Sequence, residues 1–382
     1  MNAMFPDNIF VTSCLGFVAY TYVGYPLLML VLSLVIRRKV KPDENCERPS
    51  VTFIIPARNS EHFIREKIVN TLAINQQDAR SVEIVIVSDE STDGTDDIVR
   101  EYQNMDVRLI RLEDRAGKES GQQVAIENTD GEIIVFTDVR AQLEPESLSN
   151  FLAYFKDPKI GAVSSIDAIP EGLSGEALYV RYEMWLRALE SRVCSLVGLS
   201  GSCFAARRSV CDNWHEDIPS DFFTALNTVR AGYRSVLARD IPCTYGVQKD
   251  TSKEYSRKVR TVLRGLTCFF SYWTLLVPLK YGFFSFQFFS HKLCRWLIPF
   301  FLIAGVAVLL VSTESVMTFS LGLVGVYLFL LAAGFAWYLP AAHENILCRV
   351  ALFFALSNVA IVHAWIDLVR GKRMVTWEPT KA

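Results

Sequence analysis

The stretch Glu132-Ile-Ile-Val-Phe-Thr-Asp138 decides the fold, because it carries an apolar strand directly into a carboxylate. Earlier in the chain, Val82-Glu-Ile-Val-Ile-Val-Ser-Asp89 has the same arrangement. Apolar runs of this length are typical of strands that are buried on both faces of a parallel sheet. Two such strands would bring their acids to the same carboxyl edge, where open α/β sheets bind ligands. The pattern therefore predicts a ligand crevice lined by carboxylates.

The overall composition limits the partners of this sheet. The 382 residues are 51% hydrophobic and carry a net charge of −2, without a basic tail, so nothing indicates a nucleic-acid partner. The nine cysteines include no CxxC pair, which favours reduced packing residues over a disulfide framework or a zinc site. The five histidines are too sparse for a metal cluster.

Apolar segments at both ends of the chain are candidates for membrane-spanning helices. Residues 9–36 carry no charge and are followed at once by the basic run 37–41. About 20 apolar residues are enough to cross the hydrocarbon core. The basic run places the following domain in the cytoplasm by the positive-inside rule. Buried helices of a large soluble protein are the alternative interpretation. The other three candidate segments are residues 296–312, 316–339 and 347–369.

The number of C-terminal spans stays open at this point. One N-terminal and three C-terminal spans would put the basic run 370–373 outside, against the charge rule. Either one C-terminal segment is interfacial or re-entrant, or part of 268–290 enters the membrane. The aromatic run 281–289, which basic residues follow, is typical of an interfacial helix, and a plain core helix is the alternative.

The soluble domain is predicted at residues 49–250. Short apolar strands alternate there with helical stretches, which predicts a βαβ sheet with right-handed crossovers. The predicted strands are 51–57, 82–88, 107–112, 133–137 and 160–165, and the predicted helices are 61–74, 94–102, 121–128, 145–155 and 222–231. The remaining units are an N-terminal transmembrane helix with its basic flank (1–40), basic and aromatic membrane-interface helices (251–295), C-terminal transmembrane helices (296–370) and a short tail (371–382).

Several common site types are excluded by the sequence. No GxGxxG follows the first strand, so a nicotinamide cofactor fold is not supported. Gly117-Lys118-Glu119 lacks the Ser/Thr and the upstream glycine of a Walker loop. Gly198-Leu-Ser-Gly-Ser does not follow the GxSxG pattern of a nucleophile elbow.

Six motifs remain, and in order they resemble the motif series of family 2 glycosyltransferases. They are Phe53-Ile-Ile-Pro-Ala-Arg-Asn59, Val87-Ser-Asp-Glu-Ser-Thr-Asp-Gly-Thr95, Gly117-Lys118, Gly131-Glu-Ile-Ile-Val-Phe-Thr-Asp138, Pro219-Ser-Asp221 and Glu254-Tyr-Ser-Arg-Lys258. The membrane-bound branch that makes bacterial exopolysaccharides is the most similar, which Arg181-Tyr-Glu-Met-Trp185 and Ser256-Arg-Lys-Val-Arg260 support. The match covers residues 51–265. It implies a GT-A-like (Rossmann-like) nucleotide-sugar domain with a mixed sheet, flanked by transmembrane helices.

The chemistry explains why such residues are needed. Sugar transfer from a nucleoside diphosphate is an in-line displacement at the anomeric carbon, through an oxocarbenium-like state. A carboxylate must take the proton of the acceptor hydroxyl. A divalent cation and cationic side chains must neutralise the departing diphosphate.

The resemblance implies a role for each motif. Asp221 falls at the catalytic base and Asp138 at the metal, Mg²⁺ or Mn²⁺. Asp89 falls at the nucleoside. The substrate-binding residues also include Pro56, Ala57, Arg58 and Asn59 beside the base, Lys118, Arg257, Lys258 and Arg260 near the diphosphate, and Glu254.

The chain departs from the family pattern at three positions. The usual Asp-x-Asp reads Asp138-Val-Arg140, so a cation replaces the second carboxylate. One carboxylate with substrate phosphates can hold Mg²⁺, and Arg140 is expected to contact a phosphate or an acidic sugar. Pro219-Ser-Asp221 keeps the base but drops the preceding acid. The Gln-x-x-Arg-Trp motif of processive synthases lacks its tryptophan, which leaves room for single-sugar transfer to a lipid-linked acceptor.

Structural alternatives exist for these residues. Asp89 and Asp221 could be helix N-caps, and Asp138 could be a turn residue. Lys118 could be a solvated loop lysine, and the basic group at 257–260 could be a membrane-facing stripe.

Two functions stay open. The first is an inverting glycosyltransferase at the cytoplasmic face of the inner membrane. Its partners would be a nucleotide-sugar donor, a lipid-linked or polysaccharide acceptor, membrane lipids and other polysaccharide-assembly proteins. The second is a non-catalytic assembly subunit, in which the altered Asp-x-Asp motif would reflect a loss of catalytic activity. Retention of Asp89, Asp138 and Asp221 together favours the enzyme.

Overall fold

A computed structural model describes residues 7–43, 45–167, 175–212, 214–245, 254–311, 316–339 and 345–372. Within these residues, eight strands form a single sheet, in the order β3-β2-β1-β4-β7-β6-β8-β5. The strands are β1 (Ser50–Ala57), β2 (Ser81–Asp89), β3 (Val107–Leu112), β4 (Ile133–Thr137), β5 (Ala141–Leu143), β6 (Ile160–Asp167), β7 (Cys203–Arg207) and β8 (Arg234–Tyr245).

The sheet is mixed, as the resemblance implied. β1 pairs in parallel with β2 and β4, and β2 pairs in parallel with β3. β7 runs antiparallel to both β4 and β6, and β5 runs antiparallel to β8. The parallel half therefore brings the carboxyl ends of β1, β2 and β4 to one edge of the sheet.

The α-helices surround the sheet and extend beyond it. Those of the soluble domain are α3 (Glu61–Leu72), α4 (Thr95–Arg100), α5 (Lys118–Glu127), α6 (Ser147–Phe155), α7 (Gly175–Val193) and α8 (Ser220–Arg230). The remaining helices are α1 (Asp7–Ala19), α2 (Tyr25–Val35), α9 (Glu254–Ser271), α10 (Pro278–Tyr281), α11 (Phe283–Phe288), α12 (Cys294–Val311), α13 (Val316–Tyr338) and α14 (Ile346–Val369). Short π-helical turns, Tyr20–Gly24 and Phe289–Leu293, connect α1 to α2 and α11 to α12.

Three strands that the sequence pattern did not predict complete the sheet. β5 has only three residues, and β7 consists of Cys-Phe-Ala-Ala-Arg, without alternation or a long β-branched run. Asp240 and Pro242 interrupt the apolar pattern of β8. Proline and aspartate are depleted in strands, so the sequence pattern did not predict a strand in this segment.

Alternating side chains of the strands pack into two helical layers. Phe53 of β1 packs against α3 and α6, where Ile64 and Phe151 are buried. Its neighbour Ile54 faces the opposite layer, which contains Phe223 of α8. Both faces of the central strands are thus covered, as expected for strands without polar alternation.

Three helical segments are long and apolar enough to cross a membrane: Ile9–Val35, Phe283–Val311 and Ile346–Val369. Val324–Tyr338 is a shorter apolar helix. The second segment begins at Phe283, so it joins most of the aromatic run 281–289 to the predicted span that starts at 296. The side chains of 312–323 and the tail 373–382 lie outside the described residues.

The apolar helices pack against each other and against the sheet domain. Phe17 and Phe301 stack with their ring centroids 4.0 Å apart. At Gly265 on α9, an added Cβ would lie 2.9 Å from the Trp296 ring, so only glycine allows this close approach. The same ring of Trp296 lies at one end of the cavity described next.

Candidate active site

A cavity of about 1130 Å³ opens at the carboxyl edge of the parallel strands and extends to the apolar helices. This volume is slightly above the range of about 300–1,000 Å³ that is usual for small-molecule sites. Most of the predicted site residues line it: Pro56, Ala57, Arg58, Asn59, Asp89, Lys118, Asp138, Arg140, Asp221, Arg257 and Arg260. The sequence motifs, scattered over 200 residues of chain, therefore converge at a single cavity.

The loops that follow β1 and β2 are locked together at the sheet edge. Asn59 has a positive φ of 44°, which asparagine tolerates better than most residues. Its Oδ1 accepts a hydrogen bond from the backbone N–H of Thr92 at 2.8 Å, and its own N–H donates to Ser91 Oγ at 3.2 Å. Arg58 donates to the carbonyl oxygen of Asp89 at 3.0 Å. These bonds fix the two loops as a rigid wall of the cavity.

Asp89 holds the loop that carries Lys118. Its Oδ1 accepts hydrogen bonds from the N–H groups of Ala116 at 2.8 Å and of Gly117 at 3.1 Å. Gly117 has a φ of +98°, which favours glycine and aims its N–H at the carboxylate. Asp89 is not the N-cap of the following helix, since Gly94 occupies that position and Asp93 accepts from the N–H of Thr95.

Lys118 joins two segments of the cavity wall. Its Nζ donates to Asp138 Oδ1 at 2.6 Å and to the carbonyl oxygen of Gly201 at 3.2 Å. Burial alone would lower the pKa of Lys118, but Asp138 and Glu119 outweigh it and raise the pKa above the ordinary lysine value. Asp221 also raises this pKa, so its carboxylate lies within electrostatic range of the same ammonium. Lys118 is therefore not a solvated loop lysine.

Asp221 lies in the first turn of α8. The N-cap of this helix is Pro219, and no side chain caps it, so Asp221 does not serve as an N-cap. Its carboxylate faces the cavity, and its backbone carbonyl accepts a hydrogen bond from the N–H of Leu199 at 3.2 Å. A carboxylate without a capping role at a helix N-terminus is available for chemistry.

A fourth acid, Asp167, was missed in the sequence. It ends β6 and accepts a short hydrogen bond from the Ser200 hydroxyl, with Arg187 Nη1 3.6 Å away. Burial raises its pKa, and the negative charges of Asp221 and Asp138 raise it further, against Arg187. No strand with an acid at its end was predicted beyond residue 165, which is why pattern reasoning did not find this residue.

Lys67 was also missed, because a lysine on an amphipathic helix reads as a surface residue. It is fully buried under the loop 138–140. Its Nζ donates to Thr137 Oγ1 at 2.9 Å and to the carbonyl oxygen of Ala141 at 2.6 Å. These acceptors flank Asp138 on both sides, so Lys67 holds both ends of the loop that carries it.

The basic residues of α9 separate onto two faces. Arg257, Arg260 and Arg264 line the cavity, and Arg264 Nη2 lies 2.6 Å from Glu119 Oε1. Lys258 does not join them, because one residue along a helix is a rotation of about 100°. Its Nζ lies 4.0 Å from the centre of the Phe353 ring in α14. The side chain of Glu254 lies outside the described residues.

Arg140 replaces a carboxylate in the cavity wall. Its guanidinium lies 4.2 Å from the centre of the Phe63 ring, a cation–π contact, while the residue lines the cavity. Arg140 thus lies in the cavity wall, two residues after Asp138.

The acids fit a divalent metal that takes most of its ligands from substrate and water. Within the described residues, no group of three or more His, Cys, Asp or Glu side chains is arranged as a metal cage. Asp138 offers a carboxylate whose side chain is 43% exposed toward the cavity. Mg²⁺ and similar hard cations are commonly held by one or two carboxylates plus phosphate oxygens, so this donor set is sufficient.

Comparison with known proteins agrees with this geometry. The sequence model of glycosyl transferase family 2 matches residues 52–214. An N-acetylglucosaminyltransferase of Rhizobium meliloti (strain 1021) is 26% identical over 297 residues, which cover 71% of this chain and 68% of the relative. A beta-monoglucosyldiacylglycerol synthase of Nostoc sp. is 25% identical over 185 residues, 45% of this chain and 39% of the relative.

The fold has a counterpart among solved structures. A mannosyltransferase from Pyrobaculum calidifontis, solved in complex with GDP-Man and Mn²⁺, superposes with a TM-score of 0.71 at 22% identity. The superposition covers 95% of this chain and 99% of the other. The sheet domain is therefore GT-A-like, and the superposition also includes the apolar helices.

Sheet, site and sequence matches together define a glycosyltransferase. The resemblance to family 2 glycosyltransferases that the motifs carried is supported over residues 52–214.

Proposed function

We propose that this protein is an inverting glycosyltransferase that moves a sugar from a nucleoside-diphosphate sugar to a lipid-linked or growing polysaccharide acceptor at the cytoplasmic membrane face. The observation that carries the proposal is the convergence of Asp89, Asp138 and Asp221 on one cavity that reaches the apolar helices. Asp89 ends a strand, Asp138 directly follows one, and Asp221 lies in the first turn of a helix. None of the three is used as a helix cap.

Asp221 is the proposed catalytic base. It takes the proton of the acceptor hydroxyl as the hydroxyl oxygen forms a bond to the anomeric carbon and the bond to the diphosphate breaks. A positioned general base contributes about 10²–10⁴-fold to a rate. Direct displacement from one face inverts the anomeric carbon, because no second displacement follows.

Lys118, Arg257 and Arg260 are the proposed counter-charges of the diphosphate. Lys118 already carries a proton, and both arginines line the same cavity. Positive charges that are fixed before the reaction stabilise the leaving group as its charge develops. Asp89 and the loop 56–59 would enclose the nucleoside at the far end of the cavity.

Asp138 is the proposed metal ligand, with Mg²⁺ or Mn²⁺ as the ion. A bound divalent cation would act as a Lewis acid on the diphosphate oxygens. The support is the exposed carboxylate of Asp138. Asp138→Ala is expected to abolish the response of activity to added Mg²⁺ or Mn²⁺, and Arg140→Asp to strengthen divalent-ion binding in a metal titration. A metal response that persists in Asp138→Ala would contradict this assignment.

The membrane helices support the proposed location. The basic run 37–41 follows the first candidate span, and the catalytic domain follows the basic run. Because the cavity reaches α9 and Trp296, an acceptor held in the membrane could enter from that side.

A donor screen tests the proposed function. Membranes that contain the full chain are incubated with a panel of radiolabelled nucleotide sugars and either Mg²⁺ or Mn²⁺. Release of a nucleoside diphosphate with one donor, together with label in a lipid or polymer fraction, is expected. For an α-linked donor, NMR of the product should show a β-linkage.

The control is a matched variant, Asp217→Asn, in which an exposed carboxylate is changed and the cavity is not. It should retain wild-type transfer. Failure of every donor with the wild-type protein would contradict the proposed function, and an α-linked product would contradict inversion alone.

A further inference from the structure

The end of the cavity nearest the apolar helices is built differently from the nucleotide end. Its wall is formed by Phe222 and by a cationic group on the segment Phe283–Val311, namely His291, Lys292 and Arg295. Ionisable residues within a membrane-spanning segment are rare and mark functional sites with a partner to be named. None of the family motifs in the sequence includes these residues.

The two glutamates at this end are already committed to other groups. Glu183 accepts from Arg295 Nη1 at 2.6 Å and from His291 Nε2 at 2.8 Å. Glu190 lies 2.7 Å from the other nitrogen of His291 and accepts a short hydrogen bond from the Tyr25 hydroxyl. Both carboxylates are thus hydrogen-bonded to groups other than Lys292, and they act on its ammonium only from a longer distance.

Lys292 lines the cavity, and its Nζ lies 5.0 Å from the centre of the Phe222 ring. Phe222 directly follows Asp221 in the chain. Among the described residues, no carboxylate forms an ion pair with this ammonium within 4.0 Å. At longer range, the negative charges of Glu183 and Glu190 are opposed by the positive charges of Arg295 and Arg187. An unpaired ammonium that is partly removed from water is costly, unless an anion binds there.

Nearby arginines retain unused donors. Arg187 Nε, Arg295 Nε and Arg295 Nη2 are buried and have no hydrogen-bond partner among the described residues. An ammonium flanked by guanidinium groups matches a phosphate, which offers several acceptor oxygens. Basic pockets between membrane helices are typical sites for phosphate headgroups.

We propose that Lys292, with Arg187 and Arg295, forms an anion subsite that binds the phosphate group of a lipid acceptor beside Asp221. The proposal rests on the proposed function and names the acceptor class for the same cavity. The phosphate fixes the acceptor at the membrane end, and the acceptor hydroxyl then lies toward Asp221. The donor diphosphate occupies the opposite end, near Lys118.

Binding to simple probes tests the subsite without a known acceptor. The full chain in dodecyl maltoside micelles is titrated by calorimetry with decyl phosphate, with inorganic phosphate and with decanol. Decyl phosphate should bind tightest, because it combines the anion with an apolar chain. Lys292→Met should weaken decyl phosphate binding by about tenfold or more, the usual loss for a hydrogen bond to a charged group. Lys292→Arg should restore most of it.

Lys280→Met is the matched control. Lys280 precedes the same apolar segment and also lies over an aromatic ring, at 5.2 Å from the centre of Tyr281, but it is exposed and outside the cavity. It should bind decyl phosphate like the wild type. Donor nucleotide binding, measured in the same way, should be unchanged in both variants, which also shows that Lys292→Met is folded.

Three outcomes would overturn the subsite. The first is that wild type and Lys292→Met bind decyl phosphate equally tightly, and the second is that decanol binds as tightly as decyl phosphate. The third is that inorganic phosphate binds as tightly as decyl phosphate, which would indicate a site for free phosphate. Because the readout is binding rather than turnover, a protein that transfers no sugar can still pass or fail this test.

Discussion

Lys118 Nζ donates a hydrogen bond of 2.6 Å to Asp138 Oδ1, and this contact closes the carboxyl edge of the sheet. Lys118 begins a helix whose loop Asp89 anchors, whereas Asp138 directly follows a central strand. The pair therefore places a fixed positive charge and the proposed metal ligand side by side, at the position where a diphosphate would meet both.

Lys118→Met is expected to lower kcat/KM for the donor by about 10²-fold, because a preorganised charge at the leaving group is lost. Lys118→Arg, which keeps the charge, should lose less. Steady-state kinetics with the donor found in the screen provide the measurement. A wild-type kcat/KM in Lys118→Met would show that this lysine only supports the loop.

The same substitution has a defined pH dependence. Since the folded pKa of Lys118 is raised, the contribution of its charge is complete below the ordinary lysine pKa and is lost only as pH rises through the folded value. The defect of Lys118→Met should therefore be constant between about pH 6 and about pH 9. A defect that disappears toward pH 9 would mean that the ammonium is already neutral there.

Lys67→Met should act through the position of Asp138. The substitution leaves the carbonyl of Ala141 and the hydroxyl of Thr137 without their donor, at a cost of about 1–3 kcal/mol in the free energy of unfolding. We also expect the donor KM to rise more than kcat falls, and the metal concentration for half-activation to rise. Lys159→Met, at an exposed lysine of the same domain, is the control. A purely structural role would lower stability and leave both constants unchanged.

Glu183→Gln should destabilise the junction between α7 and the helix that carries Arg295. Burial acts to raise the pKa of Glu183, but Arg295 and His291 outweigh it and hold the pKa well below 4.5. A depressed carboxylate pKa stabilises the fold above the unfolded value, and this stabilisation is lost as pH falls through the folded pKa. Removing one partner of a buried ion pair costs about 3 kcal/mol.

The stability difference between wild type and Glu183→Gln, from denaturant titrations in detergent, should be constant near neutral pH and shrink as the pH falls below 4.5. Glu144→Gln, at an exposed glutamate, should show no difference at any pH. A stability difference that stays constant as the pH falls below 4.5 would contradict the ionised state of Glu183.

The sequence predicted the parts of the site that lie next to a strand end. Asp89 and Asp138 follow uninterrupted apolar runs, and such runs fix both the strand and the acid after it. Lys67, Asp167 and the pair formed by Glu183 and His291 could not be predicted in this way. Their partners are distant in sequence, at separations up to 108 residues, and a buried polar network leaves no periodic signal.

The sheet was predictable to the same extent. The parallel half, β1 to β4, consists of short apolar strands, so it was predicted nearly to the residue. The antiparallel half depends on β7, whose small residues fit only because β4 and β6 pack closely on either side. Pairing between distant strands decides such a segment, and local propensity does not.

Cys46 reports the side of the membrane on which the catalytic domain lies. It is the exposed member of the nine free cysteines and lies between the basic run and the first strand. A membrane-impermeant maleimide should therefore label it only after the cells are permeabilised. Cys46→Ser should abolish this labelling, which excludes the two partly buried cysteines, Cys194 and Cys348. Labelling of Cys46 in intact cells would place the domain outside.

The central claim is that Asp221 removes the acceptor proton in the cavity it shares with Asp138. Single-turnover transfer by Asp221→Asn, compared with donor binding by the same preparation, tests it most directly. We expect the rate to fall by about 10³-fold, with the donor dissociation constant unchanged and Asp217→Asn at the wild-type rate. Transfer by Asp221→Asn at the wild-type rate would contradict the claim.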